Sequence, residues 1–345
     1  MTDTGESTKT SPEEEPEAGA GAEAEAGGGP WPGGNSRGES GYDPDTEMEG
    51  PMAEASSRVE TFVELIRRAS TDLPADIEGA LVAGRAAESA GSLAERALGT
   101  VLDNVAMARD LSSPICQDTG TPVVWVHHPA GVSTRRLEED FVEAVRQATA
   151  RSFLRPNAVD TLTGKNTGHG TGRGIPYLHF EEWDHDRIEV RMILKGGGSE
   201  NCGAQYKLPD GKLKAGRDLE GVRRAVLDAV FQAQGKGCAP GVLGVCIGGD
   251  RVSAFSESKH QLLRPLADVN PLPELAALEA RILDEANTLG IGPMGFGGQT
   301  TLIGVKIGVL DRLPACYFVT VSYMCWADRR AGVSIDSGGQ ATWLS

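Results

Sequence analysis

Six cysteines are the residues of this 345-residue chain with the clearest capacity for metal chemistry. Cys116, Cys238 and Cys325 each lie where a predicted helix, strand or turn ends, and no two cysteines form a Cys-x-x-Cys pair. The missing pair argues against a zinc ribbon and against ferredoxin-type ligation. Spacing alone leaves two alternatives open: the three distant thiolates converge on one metal centre, or they remain free thiols.

The other three cysteines occupy different surroundings. Cys246 and Cys316 lie inside apolar runs typical of strands, which favours small buried hydrophobic side chains over ligands. Cys202 lies in a glycine-rich loop. The N-terminus shows no export signal, so we expect the chain in the reducing cytoplasm, where disulfide bonds are rare. The histidines form no His-Glu-x-x-His motif, which argues against a zinc hydrolase.

Two glycine-rich segments, KGGGSENCG and GIGPMGFGGQTT, are candidates for holding an anion. Glycine lets backbone N–H groups approach a negatively charged group closely. Neither segment contains the phosphate-loop pattern, and GFGGQT does not open a strand–helix–strand unit, so a nucleotide site is not indicated. The alternative for both segments is a tight turn between packed elements.

Two charged residues stand near these features. Asp118 follows Cys116 by two residues, and Arg155 comes directly after a predicted helix that Pro156 halts. A guanidinium group beside a glycine-rich loop can clamp a carboxylate through two parallel hydrogen bonds. The alternative for Arg155 is an ordinary surface charge.

The charge of the chain is uneven and negative throughout. The net charge is −16, and residues 1–50 contribute 13 acidic and 2 basic residues. This balance argues against nucleic-acid binding, which needs clustered Lys and Arg. No apolar stretch is long enough for a membrane span. Residues 1–52 have the composition of a disordered acidic tail, and residues 53–345 that of a folded domain.

The hydrophobic periodicity that positions these residues indicates a mixed fold. About three helices open the folded part, and the run PVVWV then predicts a strand. Further helices and strands follow without a regular strand–helix–strand repeat. The pattern therefore predicts an α/β (mixed α+β) fold: N-terminal helices, then mixed strands and helices.

Six segments in fixed order carry a resemblance to a known family: PICQDTGTP, LRPNAVDTLTGKNTG, KGGGSEN, CAPGVLGVCIGGD, GIGPMGFGGQTT and VSYMCWADRR. Together they resemble the α subunit, or N-terminal half, of the class I fumarase and L-tartrate dehydratase family of iron–sulfur-dependent hydro-lyases. The resemblance runs from about Val59 to Arg330.

The resemblance implies a cofactor and its ligands. Three cysteines of that family hold a [4Fe–4S] cluster, and by motif they correspond to Cys116, Cys238 and Cys325. The fourth iron has no protein ligand and binds the substrate, a small dicarboxylate. By the same comparison Gln117, Asp118, Arg155 and Gly198 would contact the substrate. The chemistry of Arg155 and Gly198 agrees with a role in substrate binding, because guanidinium and backbone N–H groups suit a dianion.

The resemblance also implies a partner. The family's second half carries a threonine that takes part in proton abstraction, and this sequence ends at Ser345 without that motif. A separate β-type hydro-lyase subunit would then supply the base, in a hetero-oligomer. The expected activity is reversible addition and elimination of water on a small dicarboxylate, with fumarate and malate as the expected pair. The alternatives are the α subunit of an L-tartrate dehydratase and a cluster-binding subunit without catalysis of its own.

Three positions depart from the usual family pattern. His169 stands where an Asp is common, Leu313 stands where many members have a His, and Gln299 replaces a common Lys in GGQTT. We expect the first two departures to bear on the choice of substrate.

Overall fold

A computed structural model describes residues 49–344, with side chains from residue 57 onward. The predicted tail, residues 1–52, lies outside the described residues except for its last few, where the first helix begins. The helices are α1 (Glu49–Thr71), α2 (Ala75–Ala87), α3 (Leu93–Leu111), α4 (Thr134–Ala150), the single turn α5 (Gly197–Glu200), α6 (Leu219–Ala233), α7 (Arg251–Gln261) and α8 (Pro273–Asn287). Within this range no helix combines the length and the apolar character needed to cross a bilayer.

The strands of residues 49–344 form two sheets. They are β1 (Thr121–His128), β2 (Tyr177–Glu182), β3 (Ile188–Lys195), β4 (Ala204–Lys207), β5 (Gly241–Gly248), β6 (Leu302–Leu310), β7 (Phe318–Met324), β8 (Arg330–Ile335) and β9 (Ala341–Leu344). The first sheet has the order β2-β1-β3-β8-β9, and the second has the order β4-β7-β5-β6. Each sheet contains one parallel pair, β1 with β2 and β5 with β6, among antiparallel pairs.

Three hydrophobic clusters hold these layers together. Helices α1 and α4 pack on the first sheet, with Phe62 stacked on Phe141 at 4.3 Å between ring centroids. Helices α6 and α8 pack on the second sheet. The third cluster joins α2 and α3 to residues of both sheets, among them Trp125 of β1 and Met324 of β7. The ends of β1 and β7, and the cysteines beside them, are therefore fixed by a shared core.

The mixed α/β architecture predicted from the sequence is confirmed. The Ser-Ser-Pro stop after α3 is also present, since Ser112 adopts a left-handed conformation directly after Leu111. Strands β2 and β3 follow each other in the chain but do not pair, because β1 lies between them.

One predicted placement is wrong. Cys316 was expected inside a strand, but β7 begins at Phe318, where its pairing with Lys207 of β4 begins. Cys316 lies in the preceding turn, where its carbonyl accepts a hydrogen bond from Arg312 at 3.0 Å. The apolar run that suggested a strand, ACYFVTVSYMC, begins directly after Pro314, and its first three residues precede β7. Cys246, by contrast, is fully buried in β5 as expected.

Candidate active site

The loop between α3 and β1 carries Cys116 and is anchored at both ends. The backbone N–H of Ile115 donates to the carbonyl of Ser70 at 2.9 Å, and the Asn104 side chain donates to the carbonyl of Ile115 at 2.8 Å. Gly120 closes the loop with a positive φ of 77°, and a Cβ there would lie 2.9 Å from the backbone of β3. Only glycine fits this close approach, so the loop is held directly against the end of β3.

Asp118 ties this loop to the first glycine-rich segment. One carboxylate oxygen accepts a hydrogen bond from the backbone N–H of Gly197 at 2.7 Å, and the other accepts one from Gly120 at 3.2 Å. A Cβ on Gly196 would lie 2.8 Å from the same carboxylate. The predicted anion-holding role of this segment is therefore filled by a carboxylate of the chain itself, and the absent side chain makes the approach possible.

Gly198 links the glycine-rich segment to the second cysteine. Its Cβ position lies 3.6 Å from the carbonyl oxygen of Lys236, two residues before Cys238. Cys238 follows a short 3-10 turn and adopts a left-handed φ of 56°, which is uncommon for a residue other than glycine. At Gly237 a Cβ would lie 2.4 Å from the ring of Tyr323, so this turn packs directly on β7.

The third cysteine follows the end of β7. Cys325 is joined to the second cysteine segment because the backbone N–H of Trp326 donates to the carbonyl of Cys238 at 3.1 Å. Arg329, in the same segment, donates to the carbonyl of Asp118 at 2.8 Å. The segment after β7 thus contacts both of the other cysteine-bearing loops.

The three predicted thiols interact electrostatically. Burial raises the pKa of the Cys238 thiol, and the neighbouring Cys116, Cys202 and Asp118 raise it further. Burial also raises the pKa of Cys325 to about 11, with a smaller contribution from Cys238. All six cysteines are free thiols. The structure therefore brings Cys116, Cys238 and Cys325 into one neighbourhood, and it adds Cys202, which spacing had left undecided.

No three His, Cys, Asp or Glu side chains within residues 49–344 are arranged around a single metal ion. The same neighbourhood does contain buried polar atoms that lack a hydrogen-bond partner among the described residues. They are the Tyr323 hydroxyl, one carboxylate oxygen of Asp328 and Nε of Arg329. Buried polar atoms are normally paired, so three unpaired ones within seven residues mark this segment as unusual.

Arg155 lies beside the Cys116 loop. Its backbone N–H donates to the Thr119 hydroxyl at 3.0 Å, and its guanidinium donates to the carbonyl of Gln117 at 3.3 Å. Asn157 donates to the same hydroxyl at 3.1 Å. Within the described residues the bond to the Gln117 carbonyl is the single hydrogen bond of the Arg155 guanidinium, so the other guanidinium donors are available.

A cavity of about 910 Å³ opens beside these loops. Its wall includes Asp118 and Gly197, together with Asn157 and the charged residues Lys195 and Lys259. The three cysteines, Gln117, Arg155 and Gly198 do not form part of the wall. Cys238 and Cys325 instead pack against the core cluster that joins the two sheets. Of the seven predicted residues, Asp118 is therefore the one that lines this cavity.

Sequence reasoning missed a buried lysine in this cavity. Lys195 ends β3, and its side chain is 3% exposed. The ammonium donates to the Ser199 hydroxyl at 3.1 Å and pairs with Glu200 at 3.2 Å, while Lys259 binds the other oxygen of Glu200 at 2.6 Å. Burial lowers the pKa of Lys195. The sequence feature that could have revealed Lys195 is a lysine at the end of an apolar strand, directly before three glycines.

The second glycine-rich segment also holds an internal carboxylate. The backbone N–H groups of Gln299 and Thr300 donate to the buried Glu88 side chain at 3.0 and 2.8 Å. A Cβ on Gly298 would lie 2.5 Å from that carboxylate. This segment therefore binds an anion, as its composition indicated, but the anion is supplied by the end of α2.

The two departures expected to affect substrate choice lie in loops. Leu313 is 71% exposed in the turn before β7. His169 is exposed, and its Nδ1 lies 2.7 Å from the Thr171 hydroxyl. Neither residue belongs to the wall of the 910 Å³ cavity.

Comparison with known proteins places this geometry in a family. The family model described as Fumarate hydratase (Fumerase) matches residues 59–334. A relative from Geobacillus stearothermophilus, named putative fumarate hydratase class I, is 48% identical over 290 residues, 83% of this chain and 56% of the relative. The chain thus spans little more than half the length of that relative.

Two further relatives are similar in length to the matched region. The putative L(+)-tartrate dehydratase subunit alpha of Methanocaldococcus jannaschii is 35% identical over 277 residues, 79% of this chain and 95% of the relative. The L(+)-tartrate dehydratase subunit alpha of Escherichia coli K12 is 33% identical over 267 residues, 76% of this chain and 85% of the relative. With the family match extending across α1 to β8, the chain belongs to the fumarate hydratase (Fumerase) family.

Proposed function

We propose that this chain is the α component of a [4Fe–4S]-dependent hydro-lyase that adds water to, and removes it from, a small dicarboxylate. The observation that carries the proposal is the convergence of three cysteine-bearing segments. The Trp326–Cys238 backbone hydrogen bond and the Arg329–Asp118 hydrogen bond join all three. Lys195, Lys259 and Arg155 add positive charge near the same loops.

The residues present suit a cluster better than a single ion. A thiolate-bound cube has a different iron for each cysteine, so its ligands need not surround one point. Besides burial, the neighbouring Cys116 raises the pKa of Cys238, and Cys238 raises that of Cys325, as expected for thiols that share one neighbourhood. Cys116, Cys238 and Cys325 are each partly buried residues. We therefore assign the cluster to these three residues.

When bound, the cluster supplies a Lewis acid for the substrate hydroxyl and a carboxylate. The protein residues hold the dianion in place. The free donors of Arg155 suit a carboxylate, and Asp118 fixes the orientation of the Gly196–Gly198 backbone beside the cavity. Lys195 and Lys259 line the cavity together with the carboxylates of Asp118, Glu138 and Glu200, and both lysines pair with Glu200. Gln117 is held beside Arg155 through its own carbonyl.

We infer that the base which removes the carbon-bound proton comes from a β-type partner subunit. The match covers 95% of a relative named putative L(+)-tartrate dehydratase subunit alpha but 56% of the class I fumarate hydratase relative. Hydro-lyase activity would then require a hetero-oligomer. The six free thiols suit the reducing cytoplasm, to which we assign the enzyme.

Fumarate and malate are the substrates we favour, because the 48% identical relative is named a fumarate hydratase. The second candidate is L-tartrate. It is favoured by the match in length to two proteins named tartrate dehydratase subunit alpha. Malate and L-tartrate are both four-carbon dicarboxylates with a hydroxyl group next to a carboxylate, and each would lose water by the same kind of elimination.

The test is anaerobic reconstitution of the full chain with iron and sulfide, with and without a β-type subunit. We expect brown visible absorbance in the chain alone, and hydration of fumarate when the subunit is added. Malate and L-tartrate are assayed in parallel to assign the substrate. Full activity of the isolated chain would contradict the proposed division of the active site. A colourless reconstituted chain would contradict the cluster assignment.

A further inference from the structure

A second cavity of about 690 Å³ lies apart from the cysteine loops, between the end of α1, the α1–α2 connection, β3, β8 and β9. None of the seven predicted site residues forms part of its wall. Its volume is in the range of pockets that bind small molecules. No sequence motif indicates this cavity, because its residues come from distant parts of the chain.

The wall of this cavity is positively charged in a chain of net charge −16. It contains four arginines against two aspartates: Arg68, Arg109, Arg191, Arg330, Asp72 and Asp76. Two of these arginines use their terminal nitrogens within the protein. The terminal nitrogens of Arg330 bind Asp76 and Asp328, and Arg109 binds Glu78 at 2.5 Å.

The other two arginines have terminal nitrogens to spare. Arg68 is held through Nε by Glu64 at 2.9 Å, and Arg191 is held through Nε by Glu189 at 2.8 Å. In both, the two terminal nitrogens make no hydrogen bond to any residue in the described part of the chain. A guanidinium fixed in this way presents its remaining donors to an anion with little further loss of side-chain freedom.

The rest of the wall is mostly apolar. Leu73, Pro74, Leu263 and Pro265 contribute to it, and Trp343 lies at one end. The Arg68 guanidinium carbon lies 4.1 Å from the centroid of the Trp343 ring, which fixes both side chains. A ligand that fits needs an anionic group for the arginines and an apolar ring for the remaining wall.

We propose that this arginine pocket binds a small organic anion, a phosphate or carboxylate attached to an aromatic or other apolar ring. The site is separate from the proposed active site and does not depend on the proposed function. Both Arg68 and Arg191 would contact the anionic group, and the apolar wall would bury the ring. Phosphate and carboxylate share this chemistry, and the test distinguishes them.

The test is isothermal titration of the full chain at low ionic strength with phenyl phosphate and, in parallel, benzoate. We expect one of these to bind at least tenfold more tightly than inorganic phosphate or phenol, because each of those has one half of the required chemistry. The tighter of the two ring-bearing anions identifies the headgroup. Equal binding of inorganic phosphate, or no binding of either ring-bearing anion, would overturn the proposal.

Variants then locate the site. Arg68→Gln combined with Arg191→Gln should weaken binding at least tenfold, and Arg191→Met alone should weaken it by a smaller factor.

Arg135→Gln removes a largely exposed arginine on α4 and should leave binding unchanged. Lys259→Met removes a cation from the 910 Å³ cavity and should also leave it unchanged. Thermal melts establish that each variant is folded. Loss of binding in Lys259→Met, or retention in folded Arg191→Met and in the folded double variant, would overturn the assignment.

Discussion

The two cavities are built in different ways, although two residues that are neighbours in the chain, Arg329 and Arg330, each contact or line the wall of a different cavity. Arg329 donates to Asp118, which lines the 910 Å³ cavity, whereas Arg330 lines the arginine pocket and binds Asp76. The larger cavity is shaped by strand ends and by glycine-rich backbone, in which the N–H of Gly197 donates to the Asp118 carboxylate. The arginine pocket is shaped by long side chains from helices and strands. The two cavities therefore differ in what builds them, backbone and strand ends in one and long charged side chains in the other.

The sharpest way to separate the two regions is to remove a predicted cluster ligand. Cys238→Ser should eliminate the brown absorbance after reconstitution and lower hydro-lyase activity by more than about 100-fold, because a ligand matters more than its surroundings. Visible absorbance and fumarate hydration with a β-type subunit measure this. Binding of a ring-bearing anion at the arginine pocket should persist.

The matched control is Cys316→Ala, which removes a thiol from the turn before β7. That variant should keep both the absorbance and the activity. If Cys316→Ala lost the cluster while Cys238→Ser kept it, the ligand assignment would be wrong.

The next largest effect should come from the arginine that connects the pocket to the core. Arg330 is 10% exposed at its side chain and pairs with the fully buried Asp328 and with Asp76. Arg330→Met would leave a buried carboxyl group without its cation, which costs about 3 kcal/mol. Urea unfolding of the metal-free chain measures this. Arg135→Met is the control. The Arg135 side chain is largely exposed, so this variant should change the free energy of unfolding by less than about 1 kcal/mol.

The cysteine loops were predictable because their residue types are informative by themselves. Cys116 and Cys238 stand near proline or glycine, Cys325 follows a predicted strand, and the order of the motifs resembled that of one family. Whether the thiols meet in space was not predictable from spacing. That depends on contacts between distant segments, such as the hydrogen bond from Trp326 to Cys238.

Other features escaped sequence reasoning for physical reasons. Helix α7 has weak hydrophobic periodicity, because its buried face includes Ser258 and Gln261. The Ser258 hydroxyl lies 2.7 Å from that of Ser322, so the polar face is satisfied inside the protein. The arginine pocket has no motif at all, since Arg68 and Arg191 come together through the packing of α1 on the first sheet. Charge clusters of this kind are defined by tertiary structure alone.

A smaller effect should appear in the dependence of stability on pH. Burial raises the pKa of Asp328 to about 6 from an ordinary value of 3.8, although the Arg330 charge opposes the rise. The folded chain then keeps this proton at pH values where the unfolded chain has lost it. The contribution of Asp328 to stability should therefore fall as the pH rises from about 4 to about 6, by at most about 1.4 kcal/mol per unit.

Asp328→Asn tests this assignment, because the amide does not titrate. Urea unfolding at several pH values should show a flatter profile for the variant across that window. An unchanged profile would mean that Asp328 is ionised throughout and fully neutralised by Arg330. The arginine that lines the pocket would then also set the charge state of the segment beside the cysteine loops.

The smallest predicted effect concerns the buried lysine of the larger cavity. Lys195→Met keeps the length of the side chain and removes its charge. Glu200 retains Lys259 as a partner at 2.6 Å, so the loop should stay folded. If the cavity binds a dicarboxylate, KM should rise about tenfold with little change in kcat, corresponding to about 1.4 kcal/mol of binding.

Lys306→Met provides the matched control, since Lys306 is 4% exposed and donates to the carbonyl of Leu266 outside the cavity wall. That variant should lower stability while leaving KM unchanged. Equal KM values for Lys195→Met and the unmodified chain would show that the larger cavity, unlike the arginine pocket, does not use its buried cation for binding.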